Sequence, residues 1–356
     1  MIKRFICLSL LIILVAPPPA AAQQRLESFR IATWNVENLF DADDDPDNPG
    51  DDEYTPNSWR RWTEARYQQK LTNVAVVVAD MKPDILCVQE IENRRVLADL
   101  VKLVGELKPG LNLNHIAHQD SNDVRGIDVG LVTRFPVKSF KLREDLSRLR
   151  GALVTTMDID GTDVTVITCH WKSWLGEAEA NVVTRLREAL VVRSEIETLR
   201  EADPAATIIV AGDFNDNLDG HSLQQGLAAY ADRDLVLADP TGRLLYNSLG
   251  DVPEEDRGSY YYARRKVWNT FDALIVMPGM LQPVSKPGPA WRLPPSDSRS
   301  VTVFKPEYMC ESDGRPKPFR RVRLKDGTDS YAQGYSDHFP IMLDLIRASR
   351  PSTAEK

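Results

Sequence analysis

The chain has 356 residues, of which 42% are hydrophobic and 27% charged, and its formal net charge is -8. That length and mix can bury a large core and exclude a low-complexity or disordered chain. The acidic balance excludes a uniformly basic nucleic-acid binder, so any polyanion has to be met by local basic surface and bound metal.

In chain order, Lys3 and Arg4 precede an apolar run from Phe5 to Ala16, a Pro17-Pro18-Pro19 break and Ala20-Ala21-Ala22. This is the charged, apolar, small-residue order of a secretory signal over 1–22, too short to span a bilayer. No later run approaches the ~18 unbroken apolar residues of a membrane helix. Residues 23–356 are therefore expected to be one soluble domain without a membrane anchor, monomeric, and secreted or periplasmic. Cys7 leaves with the signal. Of the remaining Cys87, Cys169 and Cys310, an odd number, the first two lie in apolar runs and read as buried thiols.

Apolar β-branched runs alternate with amphipathic ones. Phe29–Val36, Ile85–Val88, Val129–Thr133, Ala152–Ile159, Val164–Thr168, Thr207–Ala211, Ala273–Met277 and Ile341–Leu345 predict strands. Trp62–Ala79, Val96–Leu107 and Ala178–Ala202 predict helices, the last stopped before Pro204. Asp160-Gly161 between two alternating runs predicts a tight hairpin. The mixture of βα units with adjacent antiparallel strands implies α/β packing, with sheets covered by helices. Two insertions stand out. Residues 41–53 hold eight acidic residues in thirteen, and 282–334 is Pro-rich with Arg315, Lys317, Arg320, Arg321, Arg323 and Lys325. Asp41, Asp43 and Asp45 have the spacing of a calcium loop, but Pro46 stands where such a loop needs Gly, so the first insertion reads as solvated acidic surface.

Chemistry-bearing groups recur where these strands run out. Glu90 follows Ile85–Gln89, Asp213 and Asn215 follow Thr207–Gly212, and His170 and His338 sit in Cys-His-Trp and Ser-Asp-His triplets. Each has a bland alternative. Glu90 could cap the next helix near Asn93, Asp213 and Asn215 could build a turn, and either histidine could be a hydrogen-bonded rim residue. Taken together, hard oxygen ligands and two imidazoles suit metal-assisted phosphoester hydrolysis.

Trp34-Asn35-Val36-Glu37-Asn38-Leu39-Phe40-Asp41, Asp52-Glu53-Tyr54-Thr55-Pro56, Arg61-Trp62-Thr63 and Gly334-Tyr335-Ser336-Asp337-His338-Phe339-Pro340 together resemble the secreted bacterial branch of the endonuclease/exonuclease/phosphatase superfamily, the deoxyribonuclease I-like proteins. The resemblance spans nearly the whole mature chain. It implies a four-layer sandwich of two facing mixed sheets flanked by helices, with the site at one rim. It also implies Mg²⁺ or Mn²⁺ held by Glu90, Glu37 and Asp337, with Ca²⁺ as a further structural or activating ion. Asn35, Asp213 and Asn215 would place water and phosphate, His338 would be oriented by Asp272, and His170 would be paired with Asp128. Arg125 and Lys172 are the expected phosphate contacts. The substrate expected is nucleic acid, with a small-phosphoester phosphatase as runner-up and a non-catalytic binding module as the further alternative.

Overall fold

The computed structural model describes residues 26–46, 48–144, 150–174, 178–295, 300–323 and 329–349. The segment expected to be an export signal, and Lys325 of the basic cluster, lie outside these residues.

The strands in chain order are β1 (Leu26–Leu39), β2 (Ile85–Ile91), β3 (His115–His118), β4 (Asp128–Thr133), β5 (Val137–Arg143), β6 (Ala152–Asp158), β7 (Asp163–His170), β8 (Thr207–Asp213), β9 (Ala229–Tyr230), β10 (Leu245–Asn247), β11 (Tyr260–Tyr262), β12 (Val267–Asn269), β13 (Asp272–Val276), β14 (Val301–Val303), β15 (Phe319–Arg323), β16 (Asp329–Gln333) and β17 (Ile341–Ala348). The α-helices are α1 (Glu64–Met81), α2 (Arg94–Leu107), α3 (Ala178–Ala202) and the short α4 (Arg233–Ala238). One six-stranded sheet runs β14-β17-β1-β2-β4-β3 and a seven-stranded sheet runs β5-β6-β7-β8-β13-β10-β9. Both are mixed. They meet face to face, with β1 against β8 and β13, and β2 against β7 and β8. One hydrophobic core runs between the sheets and beneath the helices, and it includes the fully buried Trp34, Ile31, Leu86, Val166 and Leu274.

The helices flank this pair of sheets. Helices α1 and α2 lie against each other and against the first sheet. Asn93 caps α2, its Oδ1 accepting the Val96 N–H at 3.0 Å, which releases Glu90 from that duty. Helix α3 is fastened to β5 where Lys141 and Arg143 both reach the buried Glu195 carboxylate, at 2.7 and 3.0 Å. Between β6 and β7, Ile159 and Thr162 exchange backbone hydrogen bonds around Asp160 and Gly161, both at positive φ, as the Asp-Gly pair predicts. Two small hairpins, β11–β12 and β15–β16, stand outside the large sheets. The second occupies part of the insertion expected to be a loop, so its arginines sit on a paired ribbon.

Strand direction explains why one rim collects the functional groups. β1 is parallel to β2 and β7 is parallel to β8, so each pair ends at a common edge. β13 and β17 run antiparallel to them, with Asp272 opposite Asp213 and Ile341 opposite Thr33. Their amino ends therefore bring Asp272 and His338 to the carboxyl ends of the others.

Candidate active site

Local backbone irregularities aim the side chains. β1 and β2 keep register through Asn35–Gln89, then shift before Leu39–Ile91. Glu37 and Asn38 take φ of 56° and 58° in that shift, and Glu90 takes 63° in the matching shift between β2 and β4. A bulge inserts a residue and turns its side chain out of the alternating pattern. Two neighbouring strands thus present carboxylates to the same space instead of to the core. On the second sheet Gly212 is required by close approach, since a Cβ there would lie 2.0 Å from the Cys169 carbonyl oxygen. The chain then turns at Asn215, φ 47°. Among the described residues, four of the nine non-glycine residues at positive φ line one cavity, an accumulation of strain typical of functional sites.

That cavity, about 550 Å³, is lined by Asn35, Glu37, Glu90, Arg125, His170, Asp213, Asn215, Asp337 and His338, among others. At its floor Asn35 Nδ2 donates to Asp213 Oδ2 at 2.9 Å, and the Asn215 N–H donates to Asp213 Oδ1 at 2.9 Å. His338 Nδ1 is 2.7 Å from Asp272 Oδ2, which leaves its Nε2 toward Asp213 Oδ2 at 3.8 Å and Asp337 Oδ1 at 4.0 Å. His170 Nε2 lies 3.6 Å from Asp213 Oδ2 and 3.8 Å from Glu90 Oε1. The loop carrying His338 is fixed from below. The Trp34 indole N–H donates to the His338 carbonyl at 3.0 Å, and Ser336 Oγ bridges from the Asn35 carbonyl, at 2.6 Å, to the His338 N–H, at 3.0 Å.

The electrostatics divide the two imidazoles. Burial alone would lower the His338 pKa, but Asp272, Asp213 and Asp337 outweigh it and hold it well above the usual histidine range. His170 is held well below that range by burial, with Arg150, Arg125 and His338 adding to the effect. Asp213 is raised by burial, against the pull of the His338 charge. Burial and then Asp337 raise Glu37, whose Oε2 accepts the Phe319 N–H of β15 at 2.7 Å.

Glu37, Glu90 and Asp337 form a hard, all-oxygen donor set without cysteine, suited to Mg²⁺, Mn²⁺ or Ca²⁺ and not to a zinc cage. Among the described residues their ligand atoms do not cluster within 4.8 Å of one another, whereas those of Asp213, His338 and the Asp272 behind it do. A cation that keeps several of its waters spans such a wider carboxylate spacing, so the residues fit a hydrated divalent ion.

Two expected contacts are corrected. Asp128 serves His118, whose Nε2 is 3.1 Å away, and also accepts the Ser121 N–H at 2.9 Å. The unforeseen strand β3 puts His118 opposite Gly130 on β4, so its ring reaches back to the start of β4. His170 is left with an Nδ1 that has no hydrogen-bond partner. Lys172 is exposed and does not line the cavity. Its N–H is taken by Glu188 at 2.8 Å and its carbonyl by Arg185 at 3.0 Å, and Arg185 is the cation that lines the cavity there. Arg125 does line it, donating to Asn38 Oδ1 at 2.8 Å.

Tyr260, Tyr262 and Arg265, a run of aromatics and cations whose composition already suits a polyanion, also line the cavity with Phe271, and beside them stand Trp174 and the exposed His221, which escaped sequence reasoning. Lys70 of α1 is fully buried, donates to the Tyr335 carbonyl at 2.6 Å, and feels Glu37, Asp337 and Glu90 against the burial that lowers its pKa. Its position was legible, because Tyr67, Lys70, Leu71 and Val74 share one face at helical spacing.

Comparison with known proteins supplies the frame. A family model described as "Endonuclease/Exonuclease/phosphatase family" matches residues 30–347. Among curated proteins none matches the chain. Solved structures that share the fold include sphingomyelinase C from Streptomyces griseocarneus, 15% identical with TM-score 0.54, covering 91% of this chain and 100% of that one. An endonuclease/exonuclease/phosphatase family protein from Bacteroides thetaiotaomicron is 14% identical, TM-score 0.52, covering 92% and 100%. Truncated TDP2 from Caenorhabditis elegans is 14% identical, TM-score 0.51, covering 90% and 98%.

Proposed function

The chain belongs to the endonuclease/exonuclease/phosphatase family of phosphoester hydrolases, and from that premise we propose that it is an exported, Mg²⁺- or Mn²⁺-dependent phosphodiesterase whose substrate is nucleic acid. The observation that carries the substrate is the cavity wall. Trp174, Tyr260, Tyr262 and Phe271 stand beside Arg125, Arg185 and Arg265, and aromatic faces with cations suit stacked bases joined by phosphates. The ring of Tyr260 lies 5.3 Å from that of Phe271 and 4.7 Å from that of His338, so the stacking surface abuts the reacting centre. The β11–β12 hairpin that forms this wall ends in exposed Arg264, Arg265 and Lys266. A polyanion suits that tip better than an acyl-chain interior does.

Glu37, Glu90 and Asp337 would hold the divalent ion, which when bound neutralises phosphate charge and stabilises the leaving oxyanion. Asp213, braced by Asn35 and the Asn215 N–H, holds the attacking water by accepting its hydrogen bond. Imidazolium His338, fixed by Asp272, donates from Nε2 to a non-bridging phosphate oxygen. His170, neutral and across the cavity, places the other face of the phosphate. Arg125 and Arg185 bind flanking phosphates. Export rests on the composition of 1–22. Among the described residues no helix is long and apolar enough to cross a membrane.

The test compares plasmid DNA, single-stranded RNA, sphingomyelin vesicles and a phosphomonoester, each with Mg²⁺, Mn²⁺ or chelator. Metal-dependent cleavage of nucleic acid above the others is expected. Preference for the phosphomonoester, or full activity in chelator, would overturn the reading.

A further inference from the structure

Arg125 reaches the cavity from an exposed loop between β3 and β4, and an exposed arginine left to itself samples many rotamers. Two contacts restrain it. Its Nη2 donates to Asn38 Oδ1 in the β1 bulge at 2.8 Å, and its backbone N–H donates to Asp123 Oδ1 at 2.8 Å. Asp123 is itself held from behind. Arg150 Nε donates to its other oxygen, Oδ2, at 3.0 Å, and the Arg150 and Asp123 side chains are only 6% and 12% exposed. The Asp123 N–H donates to Ser121 Oγ at 3.3 Å and its carbonyl accepts the Gly126 N–H at 3.0 Å. Arg150 stands at the entry to β6 in the second sheet, and its Nη1 donates to the Trp171 carbonyl, just past β7, at 3.3 Å. The same carbonyl accepts from Asn215 Nδ2 at 3.0 Å.

A buried ion pair returns little net stability over an apolar pair of the same size, because desolvating both charges offsets their attraction. What this pair supplies is direction. Contacts run without a break from Asn38 on the first sheet, through Arg125, Asp123 and Arg150, to the Trp171 carbonyl on the second, so Arg125 is set against both halves of the reacting centre. Among the described residues, neither Asp123 nor Arg150 lines the cavity. We propose that Asp123 and Arg150 are positioning residues for substrate binding, which hold Arg125 in place for a phosphate beside the scissile one. The inference rests on the reading of Arg125 as a phosphate contact and gives that contact its cause, since ordering Arg125 in advance removes an entropy cost from binding. Burial is the main reason His170 is neutral, so the chemical step should survive loss of the Arg150 charge.

The experiment measures kcat and KM of the purified protein in Mg²⁺ on a short labelled oligonucleotide and on bis(p-nitrophenyl) phosphate, which is too small to reach Arg125, with thermal melts alongside. Arg125→Gln should raise KM for the oligonucleotide about tenfold, the loss of one charge-assisted contact, and leave the small diester unchanged. Asp123→Asn should raise that KM to a similar extent with kcat kept within about threefold, because one amide cannot accept from both Arg125 and Arg150; added to Arg125→Gln it should do nothing more. Arg150→Lys should stay closer to wild type than Arg150→Met. The neutral pair Asp123→Asn with Arg150→Met should recover the Tm that either change alone loses, yet keep the raised KM, which a merely structural pair would not do. If wild type does not cleave the oligonucleotide, or Arg125→Gln leaves its KM unmoved, the phosphate-contact reading falls and this inference with it. If Arg125→Gln raises KM but Asp123→Asn does not, if the two losses multiply, or if the neutral pair restores KM together with Tm, this inference alone is overturned.

Discussion

The two histidine corners of the cavity start from the same ingredients and end in opposite states. His338 and His170 are both buried and both approach Asp213 Oδ2, at 3.8 and 3.6 Å. At the His338 corner Asp272 makes a 2.7 Å contact and Asp337 adds negative charge, so the proton is retained as pH rises past the usual histidine value. At the His170 corner burial is followed by Arg150 and Arg125, and no group meets Nδ1, so the ring stays neutral until well into acid. Partners, more than residue type or strand position, set what an imidazole can do.

The sharpest way to break this comparison is the Asp272–His338 unit. His338→Ala and Asp272→Asn should each lower kcat by ~10²–10⁴-fold, and the double variant should be little worse than His338→Ala, since the two act as one. Fully multiplicative losses, measured by single-turnover kinetics, would show that Asp272 does not work through His338.

The next effect concerns the other corner. His170→Ala should also cost orders of magnitude in kcat, whereas Asp128→Asn should leave it within about tenfold, because Asp128 holds His118. Equal damage from both would return Asp128 to the His170 side.

A smaller effect tests the basic ribbon β15, whose arginines lie outside the cavity lining. Replacing Arg320, Arg321 and Arg323 of β15 with Gln should weaken binding of long DNA and flatten its salt dependence by up to about three counterions, with turnover of a short model diester kept. Loss on both substrates would mean that β15 acts through the Phe319–Glu37 hydrogen bond instead.

The smallest is a stability slope behind the His170 corner. Burial raises Glu188 to about 7, opposed by the Lys172 N–H and by Arg150 and Arg185. A folded pKa above the unfolded one means that the fold takes up the proton more readily. The contribution to stability is therefore present below the unfolded value near 4.5 and is lost as pH rises through 7. Glu188→Gln, which still accepts from Lys172, should be more stable relative to wild type at pH 8 than at pH 5 in denaturant titrations. An unchanged difference would place the Glu188 pKa near its unfolded value.

Much of this was legible in one dimension. Long apolar β-branched runs marked eight of the strands that carry the two sheets, since a strand buried on both faces has no polar positions to spare. Helical spacing located α1, α2 and α3, and Asp160-Gly161 fixed its hairpin. Asn35, Glu37, Glu90, His170, Asp213, Asn215, Asp337 and His338 were named from strand ends, and all eight line one cavity. Short elements escaped. β3, β9 and β12 have four, two and three residues, and take their burial from neighbours and not from a pattern of their own.

The sequence by itself determined which strands are interior, where they stop, and which acids, amides and imidazoles stand at those stops, because periodicity and punctuation are local properties of the chain. Only the tertiary structure decided who meets whom. It gave Asp128 to His118, put Arg185 in the place expected of Lys172, buried Lys70 beside the carboxylates, and brought the Glu92 carboxylate across to the Asp41 N–H. Those pairings depend on strand register and on bulges, where a one-residue shift turns a side chain to the opposite face. No local pattern of residues carries that information.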